Sequence, residues 1–361
     1  MESIAMNTQT PIIARPLHVV PNAANQEYPR NCWYIVAGRD EVGEKLLGRQ
    51  VCGDRLVMYR KSTGEPVVLS DWCPHRGFKL SESRLVNDNV VCGYHGMTFN
   101  SDGKCVHIPS QSTIPNVMKV RSYPVAEKSF WVWAWMGDPE KADLDLLPES
   151  EFFHRPNYED RYLAILPMNG NFQLLHDNLL DATHVSYLHE GLVDNEGEDD
   201  IATVKMKVDY GKNFIRTQRD LHNYRPKGDV AQMFQVEEGR PVLRRLITEH
   251  HFPCTCVIIN QLIDPETDEL LSEQIATLPV VPASPDACYH FAALSTSYPA
   301  PQLEAEIAFY SSILSQDTCA IEYSQQWADE TGGPEISIRQ DEVAIRSRRM
   351  IAEMVRAEQP D

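Results

Sequence analysis

The chain has 361 residues, of which 42% are hydrophobic and 24% charged, and its formal net charge is −19. This length suits two domains or one large one, and the acidic balance argues against nucleic acid as a partner. No window of 18 apolar residues predicts a membrane span, and the first residues lack the apolar core of a signal peptide. Nine scattered cysteines do not suggest a disulfide framework, so we expect a soluble, cytoplasmic protein.

The predicted elements fall into two groups on either side of an acidic, turn-rich stretch at 137–150. Residues 1–28 are polar and irregular, which predicts a flexible arm. Short apolar and aromatic runs predict an all-β domain at 29–138, whose last strand carries three alternating tryptophans in the core. Residues 139–361 predict an α+β domain with an antiparallel sheet and flanking helices. Its predicted elements are a helix at about 170–188, strands at about 203–297, a long helix at about 301–328 and a terminal helix at about 336–358.

Two short loops in the first domain, CPHRG at 73–77 and CGYHG at 92–96, each carry one cysteine and one histidine. Structural zinc is one interpretation, but zinc sites usually pair cysteine with cysteine and histidine with histidine. In a Rieske-type [2Fe–2S] cluster one iron takes two cysteines and the other two histidines, which explains the pattern better. The predicted cluster ligands are Cys73, His75, Cys92 and His95. The remaining cysteines are interpreted as core thiols: Cys32, Cys52, Cys105, Cys254, Cys256, Cys288 and Cys319.

The segment NFQLLHDNLLDATHVSYLHEG predicts a second metal centre. On a continuous helix Asp177, Asp181 and His184 form an i, i+4, i+7 row. His189 meets His184 at a common ion only if it lies at or beyond a distorted helix end, which a nearby glycine permits. Two histidines plus one carboxylate are typical of reactive non-haem iron with open coordination positions.

The predicted long helix offers that carboxylate. Its apolar stripe is formed by Leu303, Ile307, Tyr310, Leu314 and Ile321. Asp317 falls in this stripe, where a carboxylate is costly unless it is paired or bound to a metal. Glu322 is the competing carboxylate, although it lies off the stripe. A salt bridge of Asp317 with Arg339 or Arg346 is the alternative without a metal.

Together these residues resemble the oxygenase component of Rieske non-haem iron oxygenases, most of all the group containing vanillate O-demethylase, dicamba O-demethylase and toluenesulfonate methyl-monooxygenase. The resemblance covers about residues 28–358 and includes YPRNCWYIVAG, CPHRG with CGYHG, NLLDATHVSYLH, SQDTCAIEYSQQ and QDEVAIRSRRMIAEM. It implies a Rieske domain followed by a helix-grip (START-like) catalytic domain, usually in a homotrimer. It also implies a mononuclear non-haem iron held by His184, His189 and Asp317. In such a trimer Asp181 joins His184 to His95 of a neighbouring subunit for electron transfer.

The resemblance predicts a monooxygenase that uses O2 and electrons from NAD(P)H to oxidise an aromatic substrate. O-demethylation of an aryl methyl ether, with release of formaldehyde, is the main hypothesis, and hydroxylation of an aryl methyl, a ring or an N-methyl group is the alternative. No Gly-x-Gly-x-x-Gly follows a predicted strand, so a separate flavin and iron–sulfur reductase is expected as electron donor. A zinc-stabilised ligand-binding protein is the alternative from a different class.

Two further features are left open by the sequence. Arg216, Arg219 and Arg245 are candidates for gripping a carboxylate or sulfonate of the substrate, with no ground for choosing among them. The acidic loop at 190–200 is either a solvated loop or a mobile lid over the site.

Overall fold

The computed structural model describes residues 28–149, 153–190, 192, 200–299, 303–332 and 335–359. The chain folds into two compact units, of which the first ends at Leu147 and the second starts at Pro148. The N-terminal arm predicted at 1–28 lies outside the described residues, apart from its last residue. The domain limits 29–138 and 139–361 stay predictions.

In the described part of the chain, the first unit consists of short antiparallel strands. These are β1 (Trp33–Gly38), β2 (Leu47–Val51), β3 (Asp54–Arg60), β4 (Pro66–Ser70), β5 (Arg84–Val86), β6 (Asn89–Val91), β7 (Thr98–Phe99), β8 (Cys105–His107), β9 (Val125–Lys128) and β10 (Trp131–Trp135). They form sheets of order β1-β10-β9, β2-β3-β4 and β5-β6-β7-β8. The three tryptophans of β10 are buried, as predicted. One Cys-His loop follows β4 and the other connects β6 to β7, so short hairpins present both.

The second unit is an antiparallel sheet with flanking helices, which confirms the predicted α+β class. Its strands are β11 (Glu159–Met168), β12 (Lys207–Tyr210), β13 (Phe214–Tyr224), β14 (Val242–His251), β15 (Thr255–Ile263), β16 (Leu270–Thr277), β17 (Val280–Ser284) and β18 (Ala287–Thr296). Its helices are α1 (Phe172–Leu180), α2 (Val185–Leu188), α3 (Gly228–Met233), α4 (Leu303–Thr331) and α5 (Glu342–Arg356). The sheet order is β11-β18-β16-β15-β14-β13-β12, and β17 pairs with β18. None of the helices in the described ranges is long and apolar enough to span a bilayer.

Helix α4 is fixed on the sheet by a buried ion pair and a close backbone approach. Arg161 of β11 donates to both carboxylate oxygens of Glu306 on α4, at 2.6 and 2.8 Å. Near the other end, a Cβ placed on Gly170 would lie 2.5 Å from Cγ2 of Ile321, so a side chain there would push the helix away. These contacts hold the stripe that carries Asp317 against the interior, and Asp317 is 3% exposed.

The helix predicted at about 170–188 is interrupted at Asp181, so the predicted i, i+4, i+7 row is wrong. Helix α1 ends before Asp181, whose φ and ψ of −102° and 96° are not helical. The Asp181 carboxylate accepts hydrogen bonds from the backbone N–H and the hydroxyl of Thr183, at 2.9 and 2.8 Å. It thereby caps a short 3-10 turn, Ala182–His184. An aspartate that bonds the backbone in this way competes with continuation of a helix.

Most of the cysteines interpreted as core thiols are in the core. The buried ones are Cys52, Cys105, Cys254, Cys256 and Cys288. Cys32 is half-buried, and Cys319 is exposed, so the prediction for Cys319 is wrong. Cys319 lies two residues after the buried Asp317, which turns it about 200° around α4 and toward solvent.

Candidate metal centres

The two Cys-His loops of the first unit have the same backbone design. The N–H of Cys73 donates to the carbonyl five residues later at 2.9 Å, and the N–H of Gly77 returns to the Cys73 carbonyl at 2.9 Å. The second loop repeats both bonds with Cys92 at 2.8 Å and Gly96 at 3.0 Å. Gly77 and Gly96 have φ of +67° and +75°, a region that glycine enters without strain. Each loop is therefore a tight turn that starts at its cysteine.

The cysteines are buried and the histidines lie nearer the surface. Cys73 and Cys92 are each 2% exposed, whereas His95 is exposed, and the His75 and His95 rings lie 4.6 Å apart. Burial, with Cys92 alongside, raises the pKa of the Cys73 thiol to about 11. Nδ1 of His75 is buried and has no hydrogen-bond partner in the described ranges. Adjacent buried thiols and an unpartnered imidazole nitrogen fit a [2Fe–2S] cluster, whose positive irons stabilise thiolates and accept imidazole nitrogens.

The second unit brings His184, His189 and Asp317 together, although α4 is far from the histidines in the sequence. Their potential ligand atoms all lie within 4.8 Å of one another. Oδ1 of Asp317 is 3.6 Å from Nε2 of His184 and 3.2 Å from Nε2 of His189. His184 closes the 3-10 turn, and His189 follows α2 with φ and ψ of −105° and 23°. The prediction that His189 lies at a helix end is thus confirmed.

Neighbouring groups hold both imidazoles by Nδ1 and leave Nε2 for a metal. His184 Nδ1 lies 2.5 Å from the carbonyl oxygen of Asp181, and His189 Nδ1 lies 2.8 Å from Oε1 of Gln316. A hydrogen bond at one ring nitrogen fixes the tautomer and the direction of the other, as is usual for histidine ligands of metals. Asn178 steadies the carboxylate, because its Nδ2 donates to Oδ1 of Asp317 at 3.1 Å.

The charges in this triad suit a divalent cation. Burial lowers the pKa of His184. Burial also opposes charge on His189, but the hydrogen bond and the charge of Asp317 outweigh it and raise the pKa of His189. Burial of Asp317 favours its neutral form, yet His189 and the charges around it hold its pKa below the ordinary value. One anion and two imidazoles leave coordination positions open, which fits the facial triad of non-haem iron.

The alternatives for Asp317 are not supported. Glu322 accepts hydrogen bonds from the backbone N–H and the side chain of Asn169, at 3.2 and 3.1 Å, and is not part of the triad. In the described part of the chain, neither Arg339 nor Arg346 lies within ion-pair distance of Asp317.

Both His184 and Asp181 also line a second, polar cavity of about 290 Å³. The carboxylate of Asp181 accepts hydrogen bonds from Thr183, and its backbone carbonyl oxygen lies at hydrogen-bond distance from Nδ1 of His184. Burial lowers the pKa of Arg219, and the charge of the nearby Asp181 opposes this fall.

The triad opens into an apolar cavity of about 170 Å³ formed by the sheet, α3 and α4. Its lining is mostly leucine, isoleucine, valine, alanine and phenylalanine, and its polar lining residues outside the triad are Arg244, Thr248, Asn260, Gln274 and Tyr310. None of the three arginines considered from the sequence lines it. Arg216 pairs with Glu249 at 2.9 Å, and Arg245 pairs with Asp220 at 2.8 Å.

Three residues of the site were not predicted from the sequence: Gln316, Asn178 and Arg244. Gln316 is adjacent to Asp317, and Asn178 is one turn before Asp181, but amides give no metal-site signal by themselves. Arg244 shares its strand face with two cavity residues, Leu246 and Thr248, so period-two alternation along β14 was the available signal. Most of the acidic loop at 190–200 lies outside the described residues.

Two protein families match the chain. Residues 32–124 match the Rieske [2Fe-2S] domain, and residues 168–357 match the vanillate O-demethylase oxygenase C-terminal domain. The vanillate O-demethylase oxygenase subunit of a Pseudomonas species is 34% identical over 50% of this chain and 51% of its own length. The dicamba O-demethylase oxygenase component of Stenotrophomonas maltophilia is 37% identical over 48% and 51%. The aligned part of the chain thus spans about half the length of these curated relatives.

Solved structures agree over a longer stretch. A crystal structure of dicamba monooxygenase bound to 3,6-dichlorosalicylic acid has a TM-score of 0.82 at 26% identity, covering 91% of this chain and 98% of that one. Another, with non-haem iron and dicamba, has a TM-score of 0.78 at 25% identity over the same shares.

These matches agree with the two kinds of metal centre that the sequence predicts. The cofactors are a Rieske [2Fe–2S] cluster and a mononuclear non-haem iron. The C-terminal match alone covers just over half of the 361 residues. The chain therefore belongs to the family of Rieske oxygenase components that carry the vanillate O-demethylase oxygenase C-terminal domain.

Proposed function

We propose that this protein is the oxygenase component of a Rieske non-haem iron monooxygenase that O-demethylates an aryl methyl ether. The overall reaction converts the ether, O2, NAD(P)H and a proton into a phenol, formaldehyde, water and NAD(P)+. The observation that carries the proposal is that the triad of His184, His189 and Asp317 opens directly into an apolar cavity. His189 and Asp317 are buried, and His184 is half-buried. A ligand-binding protein would have no need of an iron-type triad in the wall of its cavity.

We assign the cluster to Cys73, His75, Cys92 and His95, in the domain at 29–138. We assign the mononuclear iron to His184, His189 and Asp317, in the domain at 139–361. When bound, iron held by two histidines and one carboxylate supplies activation of O2 beside the substrate. The predicted arm at 1–28 has no part in this assignment.

The chain's own residues contribute orientation and a dry environment. The Asp181 carbonyl and the Gln316 amide hold the imidazoles, and Asn178 holds Asp317, so the ligand atoms keep their positions during turnover. The apolar cavity walls position a ring and exclude water, which limits loss of reactive oxygen species to solvent.

Electrons are proposed to arrive from a separate NAD(P)H-dependent reductase and to pass between subunits of a homotrimer. In this scheme Asp181 links His184 to His95 of a neighbouring subunit. The exposure of His95 and the polar cavity lined by Asp181 and His184 support the scheme, because both groups are accessible to a partner. A head-to-tail contact of this kind closes into a ring. A cytoplasmic location suits such a reductase.

Hydroxylation without demethylation is the second candidate. A relative that is 36% identical over 50% of this chain is named as the iron-sulfur subunit of a toluene-4-sulfonate monooxygenase system from Comamonas testosteroni. Oxidation of an aryl methyl would use the same triad and cavity but release no formaldehyde.

Turnover with a reductase, NADH and O2 separates these functions. Methoxybenzoates should give one formaldehyde per O2 consumed, whereas O2 uptake with methylbenzoates alone would favour hydroxylation. A purified protein with about three irons and two sulfides per chain is expected, and its cluster should be red-brown. A colourless protein that contains zinc and no iron would instead support the zinc-stabilised binding protein and end the proposal.

A further inference from the structure

The apolar cavity is lined by one charged side chain outside the triad, Arg244. Among the side chains that line it, Arg244 and Asp317 are the formally charged ones apart from the two histidines. Asp317 belongs to the triad, where its charge would be used by a bound metal. Arg244 is 6% exposed, and no carboxylate lies within ion-pair distance of it in the described part of the chain.

The contacts of Arg244 hold the guanidinium without neutralising it. Its Nε donates to Oδ1 of Asn260 at 3.1 Å, and its Cζ lies 4.8 Å from the ring centre of Tyr224. Its Nη1 is buried and has no hydrogen-bond partner in the described ranges. A buried, unpaired guanidinium is costly, and an anion that completes its hydrogen bonds removes much of that cost.

The strand register places a hydrogen-bond donor, the amide of Asn260, beside Arg244. Asn260 of β15 pairs with Gln274 of β16 on one side and with Leu246 of β14 on the other, so Arg244 is its diagonal neighbour. Because Oδ1 of Asn260 already accepts from Arg244, the amide keeps its two N–H groups for another acceptor. Gln274 donates to the hydroxyl of Tyr310 at 2.6 Å and is fixed by it.

We propose that Arg244, assisted by Asn260, binds an oxyanion on the substrate ring and so determines specificity for aromatic carboxylates or sulfonates. The proposal rests on the proposed function for the identity of the site, although the binding it describes is measured separately. A guanidinium carries parallel N–H donors that bind such groups in pairs, and Nη1 of Arg244 is a donor that has no partner in the described ranges. The cavity volume of about 170 Å³ suits a single ring, since an apolar cavity of roughly 150 Å³ holds benzene.

The test uses matched ligands of one size, 3-methoxybenzoate, 3-methoxybenzenesulfonate and the neutral 3-methoxybenzamide. Their dissociation constants are measured by calorimetry on the iron-loaded protein without reductase. We expect one or both acids to bind the unaltered protein more tightly than the amide, and the tighter acid identifies the anion. Arg244→Met, which keeps an unbranched apolar stem, should weaken the acid by about 30-fold or more and leave the amide within about threefold.

Arg245→Met is the control, because Arg245 is the next residue on β14 but faces the other way and pairs with Asp220. It should change neither affinity. Arg244→Lys keeps the charge and loses the planar fork, so it should retain part of the preference for acids. The proposal is overturned if Arg244→Met weakens the binding of acid and amide equally. It is also overturned if the acids bind the unaltered protein no more tightly than the amide does. Selective acid binding without any O2 uptake would instead count against the proposed function alone.

Discussion

The cluster loops and the iron triad are assembled from the chain in different ways. The residues proposed to bind the cluster all lie within residues 73–95, in two turns that repeat the same backbone hydrogen bonds. The triad joins a 3-10 turn and a helix end to Asp317, which reaches the histidines only because α4 packs on the sheet. Cluster binding should therefore depend on local turn geometry, and iron binding on tertiary packing and on the groups that orient the ligands.

The largest expected effect is separate loss of the two centres. Cys92→Ser should abolish the visible absorbance of the cluster while mononuclear iron is retained, and His189→Ala should do the opposite. Both variants should lose turnover, because electrons and substrate oxidation need both centres. Iron, sulfide and absorbance measurements check this. Loss of both centres in either variant would contradict the independence of the two regions.

Acid should destabilise the iron-binding unit first. Among the described residues, the buried histidines whose pKa burial lowers all belong to this unit: His176, His250 and His290. Burial lowers the pKa of His176 to about 4, against about 6.5 when the chain is unfolded. Its contribution to stability is therefore complete above pH 6.5 and is lost as the pH falls toward 4, by roughly 3 kcal/mol in total.

His176→Gln should flatten this acid dependence, with urea unfolding measured between pH 4.5 and 7. His176 contacts His250, with their Nδ1 atoms 2.9 Å apart, and its Nε2 bonds the Pro253 carbonyl at 3.0 Å. A glutamine amide stays neutral at these pH values, so the variant lacks the contribution that protonation of His176 makes to the pH dependence of the free energy of unfolding. The exposed His222→Gln is the matched control and should behave like the unaltered protein. If the free energy of unfolding of His176→Gln fell with pH as steeply as that of the unaltered protein, His176 would not be the source of the acid dependence.

Removing an orienting group should have a smaller effect than removing a ligand. Gln316→Leu deletes the acceptor that holds Nδ1 of His189, and outer hydrogen-bond partners of metal ligands are typically worth 10- to 100-fold in metal affinity or activity. We expect a loss of that order in iron affinity, measured by competition with a chelator, and an unchanged cluster spectrum. Gln326→Leu, on an exposed turn of the same helix, is the control. Equal iron affinity in both variants would show that Gln316 does not orient the ligand.

The smallest expected effect compares the two cluster loops with each other. The backbone at Gly77 and Gly96 has a positive φ, so alanine at either position is strained. We expect each substitution to lower the free energy of unfolding by about 1 kcal/mol. At Gly96 the added Cβ would also lie 2.9 Å from Cγ of Pro109, whereas at Gly77 nothing lies within 4 Å. Gly96→Ala should therefore lose its cluster faster on heating than Gly77→Ala, as followed by absorbance. The reverse order would contradict the geometry of the loops.

The sequence predicted the class of each unit because hydrophobic periodicity and turn residues are local. The long helix, found at Leu303–Thr331, was expected at about 301–328, since its apolar stripe has regular spacing. The break at Asp181 was not expected. A helical period continues through the segment, and only the hydrogen bonds from Thr183 show that the aspartate starts a new turn.

By itself the sequence predicted the cluster donors, because two thiols and two imidazoles at fixed short spacings have few other uses. It also offered Asp317, because a carboxylate in an apolar stripe needs a partner. Only the tertiary structure decided which arginine meets the cavity and which amides orient the ligands. Arg244 and Arg245 are neighbours with the same chemistry, and they differ only in the strand face to which each belongs. That face is set by the pairing of β14 with β13 and β15, which the sequence of one strand does not contain.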